Sequence, residues 1–274
     1  MRTKRLAFFV IVAAVLASAS CSDGRKAKMA MDDEAEVEPL PERYESDDLP
    51  RGADGLFDDF IYYFASNEQL QRRRIDFPIE ESLHGKATRV ITEGEWRMDP
   101  LFMDAGEYTL VLNAPSDREL VKDTATNNVT VEKIFLTEDS VRQFLFTRAN
   151  GRWMLRAIRM ERLANHANAS FLQFYQQFAS DSAFQVSSLC DEIAFSGPDP
   201  DDDFAQMEGF ITPDSWEAFA PELPCDSIFT IVYGKPSAAS REKTIIVCGI
   251  SNGEEMELTF RQRRGKWRLA KLTE

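Results

Sequence analysis

The chain has 274 residues, 43% of them hydrophobic, enough to bury one large core or two ordinary ones. Its net charge of −14 argues against nucleic acid and anionic lipid as partners, and two histidines are a poor stock for a metal or base constellation. Beyond the N-terminus, no window approaches the roughly 18 consecutive apolar residues that a spanning helix needs.

Arg2, Lys4 and Arg5 precede an uncharged apolar run from Leu6 to Ala17, and small residues follow. This is the layout of a secretory signal, so residues 1–20 are excluded from the fold. The stretch Leu16-Ala17-Ser18-Ala19-Ser20-Cys21 resembles a bacterial lipoprotein box, although its leucine stands five rather than three residues before the cysteine. The resemblance implies lipid attachment at Cys21; the plain alternative is ordinary secretion, with cleavage after Ala19. Ser22 after the cysteine resembles the outer-membrane sorting case. The expected location is therefore the envelope of a Gram-negative bacterium, lipid-anchored at the outer membrane, facing the periplasm or the surface.

Residues 21–54 read as a tether. From Asp32 to Asp48 nine acidic residues face Arg43 alone, with prolines interleaved and almost nothing apolar to offset the entropy of ordering. Cys190, Cys225 and Cys248 all fall in the second half, so one intramolecular disulfide is the maximum. Cys248, inside the run TIIVCGI, reads as a small hydrophobe.

The body opens with Phe57, Phe60, Ile61 and Phe64 at i, i+3, i+4 and i+7, a helix with one wide apolar face. Ser66 with Gln69 predicts a capping box for a second short helix. Ile75, Phe77 and Ile79 then alternate as a half-buried strand, and further strands are expected near 107–113, 128–136, 141–148 and 152–160. Asn150-Gly151 marks a two-residue hairpin. The pattern then starts again. Phe171, Phe174, Tyr175 and Phe178 repeat the helical spacing 114 residues on, with Ser180 or Asp181 as the next cap. Leu189, Ile193 and Phe195 echo the first strand, and strands are expected near 228–233, 243–250, 256–262 and 266–272, with Arg264-Gly265 as the hairpin. FTRANGRWML and FRQRRGKWRL share Phe, Gly, Trp and Leu at the same offset, whereas ITEGEW and ITPDSW are 120 residues apart. The reading is a duplicated α+β domain, residues 55–161 and 169–274, with a joint too short for free swinging.

The order of helices and strands, the FxxFxxxFASD opening and the closing GxW hairpin resemble the nuclear transport factor 2-like superfamily, which includes ketosteroid isomerase and scytalone dehydratase. Two such copies behind a lipoprotein signal resemble a family of bacterial envelope lipoproteins carrying a domain of unknown function. The resemblance covers about 210 of the 274 residues. It implies two tandem cones, each with N-terminal helices packed on a curved antiparallel sheet.

Chemistry is harder to read. His84 lies in a polar turn, His166 in the joint, and neither recurs in the other copy. Asp199, Asp201 and Asp203 have the first spacing of a calcium loop, but Phe204 and Phe210 stand where its glycine and glutamate belong, so a solvated insertion is expected. Arg72 to Arg74 read as a solvated helix end. Asp191, in phase with Leu189 and Ile193, is the one acid expected to face a core, where burial would raise its pKa; the plain alternative is a solvated strand end. No catalytic residue, metal site or cofactor is assigned. The expected function is a non-enzymatic module that binds a small apolar ligand or an envelope protein. The rivals are a cone-fold isomerase, dehydratase or hydrolase using a buried carboxylate, and a structural accessory subunit of an envelope assembly.

Overall fold

Helical spacing of aromatic residues produces the two helical hairpins of the body. In the computed structural model, which describes residues 50–274 apart from 51, 200–201, 235–239 and 251–252, α1 runs Phe57–Ser66 and α2 Glu68–Arg74. The second hairpin is α3, Ala169–Ser180, and α4, Ser182–Ser187. The expected signal segment, Cys21 and the whole acidic run from Asp32 to Asp48 lie outside the described residues. The cap of α2 is Asn67, whose Oδ1 accepts from Leu70 N at 3.0 Å, and not Ser66, whose hydroxyl turns back to Tyr62 O at 2.9 Å. In the second hairpin Asp181 Oδ1 accepts from Phe184 N at 2.9 Å. An Asx side chain just outside the first turn reaches the N3 amide, whereas a serine still inside the preceding helix bonds back along it.

Among the described residues twelve strands fall in two series and join one sheet. The first series is β1 Ile75–Leu83, β2 Lys86–Ile91, β3 Glu107–Leu112, β4 Asn128–Phe135, β5 Ser140–Ala149 and β6 Arg152–Arg162. The second is β7 Leu189–Asp199, β8 Asp202–Ile211, β9 Ser227–Tyr233, β10 Glu242–Gly249, β11 Glu255–Arg263 and β12 Lys266–Thr273. His84-Gly85, Asn150-Gly151 and Arg264-Gly265 turn three hairpins with both residues at positive φ, the I′ geometry whose twist matches the flanking strands. The strands β2 and β8 carry little hydrophobic periodicity because they are the sheet's two edges. Five of the six β2 residues are exposed, and Phe210 on β8 is 72% exposed. The acidic insertion lengthens this second hairpin: β7 and β8 have eleven and ten residues against nine and six in β1 and β2.

The strand order is β2-β1-β6-β5-β4-β9-β3-β10-β11-β12-β7-β8. The third strand of each series has therefore crossed to the other. β9 pairs with β4 from Val129↔Tyr233 to Phe135↔Ser227, and β3 pairs with β10 from Thr244↔Leu112 to Gly249↔Glu107. The two meet in parallel at Thr109↔Thr230. Residues 55–161 and 169–274 thus do not form separate sheets. Nor is the sheet wholly antiparallel, as expected from sequence: β1–β6, β7–β12 and β3–β9 are parallel, with connections long enough for a crossover.

One hydrophobic core lies on each face of this sheet. Along β10, Ile245 and Val247 enter the core under α3, while Ile246 enters the core under α1. On β9, Ile228 serves the former and Phe229 and Ile231 the latter. The first core is centred on Phe57, Phe60, Phe64, Phe146 and Trp153, with Phe57 and Trp153 ring centroids 5.0 Å apart. The second repeats it as Phe171, Phe174, Phe178, Phe260 and Trp267, with the corresponding pair at 5.1 Å. The aromatic stripes are core.

Each helical hairpin is fastened by a buried glutamine. Gln71 Oε1 accepts from Trp96 Nε1 at 3.0 Å and Asp99 N at 3.1 Å, while its Nε2 donates to Phe64 O at 2.9 Å and Asp99 O at 2.7 Å. Gln185 accepts from Trp216 Nε1 at 2.8 Å and donates to Phe178 O at 3.3 Å. Gln71→Ala should destabilise the protein by about 3 kcal/mol or more, at about 1–3 kcal/mol for each buried group left unpaired, and Gln185→Ala by clearly less. Urea unfolding of the two variants checks the order.

Candidate functional site

The sequence-marked residues scatter. Asp191 is exposed, because between Leu189 and Ala194 strand β7 bulges out of its ladder with β12 and alternation fails there. His84 is exposed in the β1–β2 turn. Of the acidic loop, Asp201 and the side chains of Asp199 and Asp203 lie outside the described residues. Among the described residues no three His, Cys, Asp or Glu side chains are grouped to hold a metal. The three cysteines Cys190, Cys225 and Cys248 are unpaired. Arg74 is not a solvated helix end. Its guanidinium holds both oxygens of Asp54 at 2.8 and 2.9 Å, and Asp54 also accepts from Trp153 N, so the last residues of the expected tether are docked on the body.

The site that sequence reasoning missed is a cavity of about 160 Å³ at the mouth of the first core. Asp58, Ile61 and Tyr62 of α1, Phe102, Tyr108 of β3, Ile231 of β9, and Gly249 and Ile250 at the end of β10 line it. Strand exchange builds it, since helix and loop come from the first series and β9 and β10 from the second. Behind Asp58 the Tyr233 hydroxyl donates to its carboxylate, and Tyr108 hydrogen-bonds Cys248. Burial, with Asp59 adding to it, raises the pKa of Asp58 against the Tyr233 hydrogen bond. Burial also raises both tyrosines and Cys248, so at neutral pH the phenols and thiol keep their protons.

At offsets of 114 and 120 residues, Asp58, Tyr108 and Cys248 answer to Leu172, Ile228 and Ile134. All three are fully buried in the second core, where Tyr175 also occupies the position of Ile61. At these three positions the second core has apolar side chains where the first has a hydrogen-bonded acid, a phenol and a thiol around the cavity. That asymmetry between matching positions was the available signal, but it becomes legible only once the strand exchange shows which residues meet.

A second polar cluster lies where β4, β9, β3 and β10 run side by side. Glu132, 3% exposed, accepts from Gln143 Nε2 at 2.7 Å and pairs with His166 Nε2 at 3.0 Å. Asn168 N donates to His166 Nδ1, leaving Nε2 as the protonated nitrogen toward Glu132. Lys243, 4% exposed, donates to Asn113 and Asn168 side-chain oxygens, and burial lowers its pKa against the pull of Asp117. An adjoining cavity of about 80 Å³ is lined in part by Thr230, whose hydroxyl has no partner. The cluster ties the joint after β6 to the central strands, with His166 as a partly buried partner of Glu132.

Because its pKa is raised, Asp58 holds its proton in the folded state to higher pH than in the unfolded chain. Stability therefore falls as pH rises from 3.8 through the folded pKa. Asp58→Asn should be more stable than the wild type at pH 7, and the gain should vanish below pH 3.8, as read by thermal unfolding across pH.

Among curated proteins none matches this chain. A crystal structure of an NTF2-like protein from Bacteroides fragilis NCTC 9343 is similar, with a TM-score of 0.73 and 37% sequence identity, covering 81% of this chain and 96% of that one. The mixed α+β architecture, with a large sheet and few helices, is thus shared with an NTF2-like protein. Residues 37–274 match the family described as Domain of unknown function (DUF4348), and with most of its length inside that match the chain belongs to this family.

Proposed function

We propose that the protein is an envelope lipoprotein, anchored through Cys21, whose body binds a small molecule without transforming it. The observation that carries the binding reading is the polar, partly open cavity at Asp58, set where the matching positions of the other core are filled. A partly buried acid that costs stability is retained where it has a use. Element boundaries that recur at offsets of 114 and 120 residues support a tandem duplication of one NTF2-like cone, with the third strands exchanged. The resulting module holds its ligand against α1 and the exchanged strands.

The raised pKa of Asp58 favours a second reading, in which the carboxyl is an acid or base for an isomerase, dehydratase or hydrolase. The two readings part on the fate of the ligand. Material recovered from the envelope-purified protein by native mass spectrometry should be a single small species that stays unchanged on incubation. Conversion to product, lost in Asp58→Asn, would establish the enzyme instead.

The double variant Asp58→Leu with Ile61→Tyr copies the packing of the second core and should still fold, the gain from removing the carboxyl being set against the Tyr233 hydroxyl left without its acceptor, while losing the bound species. Retention of that species would place the ligand elsewhere. For the anchor, labelled palmitate should be incorporated into the wild type and absent from Cys21→Ala; equal labelling of both would refute lipidation at that residue.

A further inference from the structure

We infer that the cavity at Asp58 takes a small organic cation, a single ring or branched group bearing an ammonium; this deepens, and rests on, the binding reading above. Among the described residues the lining contains one carboxylate, three aromatic residues (Tyr62, Phe102 and Tyr108) and aliphatic walls, and no lysine, arginine or histidine. Aromatic rings attract cations through their quadrupole, most strongly where water is excluded. An anion would meet Asp58 with no countercharge in the lining and would lose hydration without recompense. A neutral ligand would leave the carboxylate's charge uncompensated. Asp58 lies in the first turn of α1 and the Tyr233 hydroxyl donates to it from behind, so the carboxyl is oriented before a ligand arrives, and a bound cation would offset the burial that disfavours its ionised form. Neighbouring Asp59 adds a repulsion that a bound cation relieves.

Size narrows the class further. The cavity, about 160 Å³, is close to the roughly 150 Å³ that suffices for benzene in an engineered apolar cavity. Three probes of one shape and three charges test the inference on the purified protein: phenylmethylammonium, benzyl alcohol and benzoate, titrated by NMR and calorimetry. Phenylmethylammonium should bind saturably and about tenfold more tightly than benzyl alcohol, as desolvated cation–π and charge contacts require, and benzoate should not bind. Asp58→Asn should abolish the preference for the ammonium while keeping the alcohol. Equal or tighter binding of the alcohol, or a preference that survives in Asp58→Asn, would overturn the cation and leave a neutral small-molecule site. Absence of saturable binding by all three would overturn both the cation and the binding reading.

Discussion

The exchange of β3 and β9 is the constraint on which the rest of the molecule depends. Each strand leaves its own series and is hydrogen-bonded inside the other, β9 against β4 and β3 against β10. The four central strands consequently have apolar residues on both faces, which is why SIFTIVY and KTIIVC read as nearly continuous buried runs and not as alternating ones. A sheet covered by helices on both sides at its centre can carry two cores while remaining one hydrogen-bonded layer. Neither half of the chain holds all the strands of the core that its own helices cover.

That construction also explains how one core became different from the other. The packing around Phe57, Phe146 and Trp153 is reproduced around Phe171, Phe260 and Trp267, with the same edge-on ring contacts and the same glutamine-to-tryptophan fastening. Divergence is marked at the mouth, where an acid, two phenols and a thiol stand in the first core. Stability is supplied by the shared scaffold, so the mouth of the first core tolerates a half-buried carboxyl whose ionisation opposes folding.

Much of this was legible from residues. Helical spacing located α1 and α3, and Asn150-Gly151 and Arg264-Gly265 located the two closing hairpins, because local periodicity and turn chemistry are local properties. The edge strands β2 and β8 escaped because an edge exposes both its faces and leaves no apolar rhythm. Asp191 misled because a bulge breaks the alternation on which its inward placement relied. The cavity escaped for a different reason. Asp58 and Tyr233 are 175 residues apart, and only the crossing of β9 into the first core brings them together. His166 likewise gains a role only from Glu132, which sits on the far side of the sheet's central seam from β10.

Strands that are apolar on both faces raise a problem of register. In an ordinary amphipathic strand a slip of one residue turns the hydrophobic set toward water, but in β10 it would only trade Ile245 and Val247 for Ile246 between two cores. Burial alone scarcely opposes such a slip. Lys243 and Glu132 do. A shift by one position would carry the ammonium away from the oxygens of Asn113 and Asn168, and the carboxylate away from Gln143 and His166, leaving each charge buried against hydrocarbon. The polar cluster at the seam therefore acts as the alignment key of the central strands, and through them it sets which side chains reach the mouth of the first core.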